Sequence, residues 1–149
     1  MNNENPLVRR ATLDDVPTLS PLVNSLEMFP LDVRLEMIGN STGIFLIAEG
    51  PIGFLYAVPE PLTEGTWNML ALGVAPDHHR KGLGRALVAA AEPLLRDQGA
   101  RLLIVDTSGA DDFAPARAFY KGLGYAQVAV IPDYWAQGDD KVIFAHPLG

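Results

Sequence analysis

Between residues 101 and 108 the chain reads Arg-Leu-Leu-Ile-Val-Asp-Thr-Ser, an apolar run without alternation. A strand exposed on one face alternates apolar and polar residues. A continuous run marks a central strand covered on both faces. The segments on either side of it read as helices. Before it, Leu83, Leu87, Ala90, Ala91, Leu94 and Leu95 recur at helical spacing, with Gly99 as the stop. Pro93 inside that pattern predicts a kink. After it, residues 115–125 form a helix with Pro115 in the first turn and Gly122 or Gly124 as its end.

The rest of the chain fits the same plan. Residues 7–11 read as a short strand. Thr12 and the Asp14–Asp15 pair announce a helix, which Pro21 makes short, late or kinked. Residues 31–39 suggest a second short helix, from Asp32 to Gly39. Residues 43–58 hold two β-rich runs around Glu49-Gly50-Pro51, a hairpin signal, and 66–76 make a third strand ended by Pro76. Two closing strands are expected around a loop from Pro132 to Asp140. The predicted order is β-α-α-β-β-β-α-β-α-β-β, a mixed α/β sheet in a single domain spanning 1–149.

Composition narrows the function. With 48% hydrophobic and 19% charged residues, the chain has material for a core and is too apolar for disorder. No apolar stretch reaches the roughly 18 residues of a membrane span, and the N-terminal segment lacks a signal-peptide core, so the expectation is a cytoplasmic protein. The absence of cysteine excludes disulfides, thiolate metal sites and cysteine nucleophiles. A net charge of −7 argues against nucleic acid as a partner and permits a cationic substrate.

Against that acidic background, residues 78–87, HHRKGLGRAL, stand out. They follow a strand and open an amphipathic helix. N–H groups of a first helical turn have no partners within the helix, and the dipole places partial positive charge there. Gly82 and Gly84 allow close approach to the backbone, and Arg80, Lys81 and Arg85 add cations. This is the physics of an anion site, with phosphate the best candidate. The spacing matches neither the Walker loop nor the dinucleotide fingerprint.

The segment 70–92 resembles the acyl-CoA-binding segment of the GCN5-related N-acetyltransferases. Leu-Gly-Val-Ala-Pro at 72–76 matches the family's strand end. Gly82 and Gly84 match the glycines of R/Q-x-x-G-x-G/A, with His79 in place of Arg or Gln. A second segment, 116–125, is similar to the family's A-x-x-F-Y-x-x-x-G-F/Y, with Ala116, Phe119, Tyr120, Gly124 and Tyr125 in register. Phe113 stands where the family often has Asn.

The resemblance implies a splayed central strand over 67–74, whose Leu72, Gly73 and Val74 main chain would bind the pantetheine arm of acetyl-CoA. It implies a pyrophosphate cradle from His79, Arg80, Lys81, Gly82, Leu83, Gly84 and Arg85. Tyr120 would protonate the departing thiolate, and a primary amine would attack the thioester directly. An alternative reading is a non-catalytic acyl-CoA-binding or regulatory module. For a proton acceptor, Asn68 cannot serve as a base; Glu60, Glu64, His78, Asp106 and Ser108 are the candidates, with water as the alternative. Phe29, Trp67, Tyr134 and Trp135 are candidate acceptor contacts, and Asp133, Asp139 and Asp140 could attract an amine. The 134–135 aromatic pair would suit a homodimer contact. Small amine, amino acid, antibiotic and protein N-terminus all stay open as acceptors. No metal site is expected, since His78 and His79 are adjacent and His146 has no carboxylate at a useful spacing.

Overall fold

The computed structural model describes residues 7–25, 42–78 and 82–149. The predicted helix over 31–39 and Phe29 lie outside them, as do His79, Arg80 and Lys81. Seven strands make one sheet in the order β1-β2-β3-β4-β5-β7-β6. They are β1 Val8–Arg10, β2 Ile44–Ala48, β3 Gly53–Pro59, β4 Thr66–Val74, β5 Leu102–Ser108, β6 Ala126–Ala136 and β7 Asp139–Pro147. Among the described residues three α-helices accompany them: α1 Val16–Ser25, α2 Leu83–Asp97 and α3 Ala114–Gly122. The β4–β5 pair is parallel and every other pair antiparallel.

The two faces of the sheet bury different layers. On one face Leu83, Leu87, Val88, Ala91 and Leu95 of α2 pack on Leu46, Leu55, Trp67, Met69, Val105 and Phe144. Tyr120 of α3 joins that layer. On the other face Leu19 and Leu22 of α1 cover Phe45, Ile47, Phe54, Tyr56 and Ala71. Strands β2 and β3 therefore read as unbroken apolar runs, because both of their faces are covered. β5 is less continuous than its sequence suggests. Leu103, Val105 and Thr107 are buried under the helices, while Asp106 faces the opposite side.

The entry to α1 is held by charge. The buried Asp15 carboxylate accepts from the Arg9 guanidinium at 2.7 and 2.9 Å and from the Thr12 N–H at 2.7 Å. Arg9 also pairs with Glu49. Two expectations change. α1 runs through Pro21, ten residues in all, with a single-turn 3-10 segment Leu13–Asp15 before it. Residues 132–136 are strand and not loop. β6 continues to Ala136, and only Gln137 and Gly138 separate it from β7. Pro132 is tolerated because β6 is the outer strand of the sheet, where a missing N–H costs no ladder bond.

Candidate active site

β4 begins inside the sheet and then parts from β5. Thr66, Trp67 and Asn68 pair with Leu102, Leu103 and Ile104. Beyond them no β4–β5 pair forms among the described residues, although β4 runs to Val74 and β5 to Ser108. β4 stays with β3 throughout, ending at Val74 opposite Gly53. The cause is local. Met69 faces Ala57 and Ala71 faces Tyr56, so Leu70 is an extra residue in β4. Such a bulge increases twist and bends the strand away from its neighbour. The result is a wedge between β4 and β5.

The main chain lining the wedge follows from alternation. Ala75 donates its N–H to the Ile52 carbonyl at 2.8 Å, which turns Ala75, Gly73 and Ala71 toward β3. Leu72 and Val74 then direct their N–H and C=O groups to the side that β5 has left. Of the three residues expected to hold a pantetheine arm, two present their main chain to the wedge and Gly73 faces β3.

α2 starts beyond the end of β4. Gly82 precedes it in the left-handed conformation, φ 77°, and a Cβ there would meet nothing within 4 Å among the described residues. Leu83 is buried and anchors the first turn in the core. Ala86 is the residue that bonds back to the Gly82 carbonyl, at 3.0 Å, so the N–H groups of Leu83, Gly84 and Arg85 precede the helical ladder. Gly84 has a different reason to be small: its Cβ would lie 3.1 Å from the Phe119 ring of α3. The exposed Arg85 guanidinium is 3.5 Å from the Gly122 carbonyl at the end of α3.

Tyr120 lies on the helix-covered face, its ring against Phe119, Tyr125 and Phe144 at centroid distances of 5.4, 6.3 and 5.6 Å. Burial pushes its phenol up to about 12. The neighbouring Tyr125 is pushed up as well, first by burial and then by Glu92. A Tyr120 so placed keeps its proton throughout the neutral range and is a donor.

On the opposite face, at the root of the wedge, polar groups converge that the sequence reading left apart. Asn68, only 5% exposed, donates from Nδ2 to Glu60 at 2.9 Å and to Asp106 at 3.2 Å. Lys141 Nζ lies 3.3 Å from Asp106 and 4.2 Å above the Tyr134 ring. Coulomb attraction to Asp106 and hydrogen bonds to Asp106 and Tyr134 raise the Lys141 pKa against the lowering effect of burial. Tyr134 and Trp135 are half-exposed and meet edge to face. The Trp135 indole donates to the Thr107 carbonyl at 3.3 Å.

Other candidates are placed elsewhere. Trp67 is buried beneath α2. Asp133, Asp139 and Asp140 are engaged around the β6–β7 turn, where Asp133 accepts from the Gly138 N–H, Asp140 from the Asp133 N–H and Asp139 from the Ser108 hydroxyl. Ser108 is therefore occupied. His78 sits in the turn after β4, and His146 stacks on Tyr125. Among the described residues no group of three His, Asp or Glu could hold a metal. Sequence reasoning missed Lys141 and set Asn68 aside as no base. The available signal was one polar residue inside each of two apolar strands, Asn68 and Asp106.

A model of the acetyltransferase (GNAT) family matches residues 14–125, and the chain belongs to that family. It is an acetyl-CoA-dependent N-acetyltransferase. It is 23% identical over 142 residues to an N-alpha-acetyltransferase of Saccharolobus solfataricus, covering 95% of this chain and 84% of that protein. A solved GNAT-family structure from Desulfovibrio desulfuricans is 32% identical with a TM-score of 0.88, over 96% of this chain and 99% of the other. An aminoglycoside 6'-N-acetyltransferase complexed with coenzyme A shares the fold, with a TM-score of 0.84 at 18% identity, over 96% and 97% of the two chains.

Proposed function

We propose that the chain transfers the acetyl group of acetyl-CoA to a primary amine of a small molecule or peptide by direct attack on the thioester. The observation that carries this reading is the wedge between β4 and β5, with the open first turn of α2 next along the chain. Leu72 and Val74 would hold the pantetheine arm by main-chain hydrogen bonds. The first turn of α2 would receive the pyrophosphate, helped by Arg80, Lys81 and the His79 main chain. Acetyl-CoA supplies the activated carbonyl. A main-chain N–H at the wedge would stabilise charge developing on its oxygen. Tyr120 would donate a hydrogen bond or proton to the departing sulfur. The open space at Gly82 supports a close approach of phosphate to backbone.

Calorimetric titration with acetyl-CoA tests the reading, with ATP as control. Micromolar binding is expected for acetyl-CoA and none for ATP. Gly82→Asp should abolish binding by placing a charge against the phosphates, whereas Gly82→Asn, which suits the left-handed backbone equally well, should weaken it far less. Equal affinity in both variants would remove the cradle.

A further inference from the structure

The cluster at the root of the wedge is short of donors. Asn68 spends both amide hydrogens, one on Glu60 and one on Asp106. The amide cannot be turned over, because its oxygen would then face two carboxylates. Its Oδ1 is buried and meets no donor among the described residues, and the same holds for Asp106 Oδ1. A buried acceptor without a donor costs about 1–3 kcal/mol. Two of them on side chains that already touch each other are a feature that folding alone would remove. The local charge is unbalanced in the same sense, with Lys141 as one ammonium against the carboxylates of Glu60 and Asp106. What would complete this cluster is a cation carrying N–H groups.

Resting on the acetyltransferase reading above, we propose that Asn68 Oδ1 and Asp106 Oδ1 seat the ammonium of the acceptor, making this pair the element that selects a cationic primary amine. Its position fits the reaction once the seated ammonium has passed a proton to Asp106 or to water and become a neutral nucleophile. Asn68 is the last β4 residue paired with β5, so the seat lies where the wedge opens. It faces away from α2 and α3, so donor and acceptor would approach through opposite faces of the sheet. The two oxygens are themselves buried, while the side chains of Asp106 and Lys141 retain 17% and 15% exposure, so the seat is entered when the flexible end of Lys141 moves aside. The Tyr134 and Trp135 rings beside it offer apolar contact to whatever carries the amine.

The test is a titration of the CoA-bound protein with n-butylammonium, followed by the side-chain amide signals of Asn68 and the indole N–H of Trp135 in nitrogen–proton correlation spectra. Saturable shifts are expected. Tetramethylammonium, equal in charge but without N–H, should produce none at the same concentrations. Asp106→Asn should weaken n-butylammonium about tenfold or more. It should melt within about two degrees of the parent, because Lys141, which loses its counter-ion, is partly exposed and keeps its contact with the Tyr134 ring. The proposal is overturned by absent shifts, by equal shifts with tetramethylammonium, by unchanged affinity in Asp106→Asn, or by lost binding with a melting temperature several degrees lower, which would make Asp106 a scaffold residue. Calorimetry with acetyl-CoA separates the two readings. Acetyl-CoA binding without n-butylammonium shifts refutes the seat and leaves acetyl transfer standing. Failure of acetyl-CoA to bind refutes acetyl transfer, and the same titration of the CoA-free protein then judges the seat as an ammonium site alone.

Discussion

Gly82 and Gly84 look alike in the sequence and differ in the fold. Gly82 is left-handed and faces open space; Gly84 is where α2 and α3 touch, through Phe119. Gly84→Ala should therefore cost about 1–3 kcal/mol through overpacking, seen in a denaturant melt, while the surviving folded protein binds acetyl-CoA nearly as before. A large loss of affinity without loss of stability would assign Gly84 to the ligand instead. Tyr120→Phe is the complementary case. It should lower kcat by about two orders of magnitude with acetyl-CoA affinity within twofold. Because burial raises the Tyr120 phenol to about 12, its proton is retained well above the ordinary tyrosine range, and kcat should show no alkaline limb near pH 10. A limb there that disappears in Tyr120→Phe would show that the phenol is not buried as described. At this scale the sequence could not tell a packing glycine from an exposed one, since the difference lies in tertiary neighbours.

Among the elements, the start of α1 depends most on one ionised group. The Arg9 guanidinium, then the Thr12 N–H, hold the Asp15 carboxyl well below the usual carboxylate range. A carboxyl with a depressed folded pKa stabilises the fold fully above its unfolded value of about 3.9, and that contribution fades as pH falls through the folded value. Asp15→Asn should therefore lower stability by about 1–2 kcal/mol at pH 7, and by less in strong acid, where the parent carboxyl is itself protonated. A loss independent of pH, measured by thermal melts from pH 2 to 7, would mean that the pairing with Arg9 contributes nothing. The helix was legible from Thr12 and the Asp14–Asp15 pair; Arg9 as the partner was not, because β1 meets it only in the fold. The β6–β7 region shows the reverse error. Pro132, Gly138 and paired aspartates read as a loop, yet the ladder to β7 breaks between Ile131 and Ala136 without ending the strand. Local turn chemistry lost to pairing along a neighbouring strand.

For the molecule as a whole, the strand sequence, the two glycines and the aromatic helix were enough to indicate the family and its α/β order. The partition of work between the two faces was not legible. It depends on which residues of β4, β5 and β7 share a side, and one-residue register decides that. Trp67 and Met69 face the helices, Asn68 faces Asp106, and the sequence offers both patterns equally. Tyr120 lies under one face and the Asn68–Asp106 pair under the other, so on the proposed reading the wedge would be the route by which the two act on the same atoms.

The wedge itself traces back to Leu70. An added residue inverts the parity of a strand, so the part of β4 before it and the part after it obey opposite rules. Before Leu70, odd positions enter the layer beneath α2; after it, even positions do, with Leu72 and Val74 there and Ala71 on the far side. Removing that single residue would leave the composition of β4 almost untouched. It would nevertheless restore plain alternation, with Trp67, Met69, Leu72 and Val74 all still beneath α2, and take away the bulge that bends β4 from β5. A gap of one at this point in a comparison of related chains would therefore mark a straighter β4 and a narrower wedge, and not a trimmed loop.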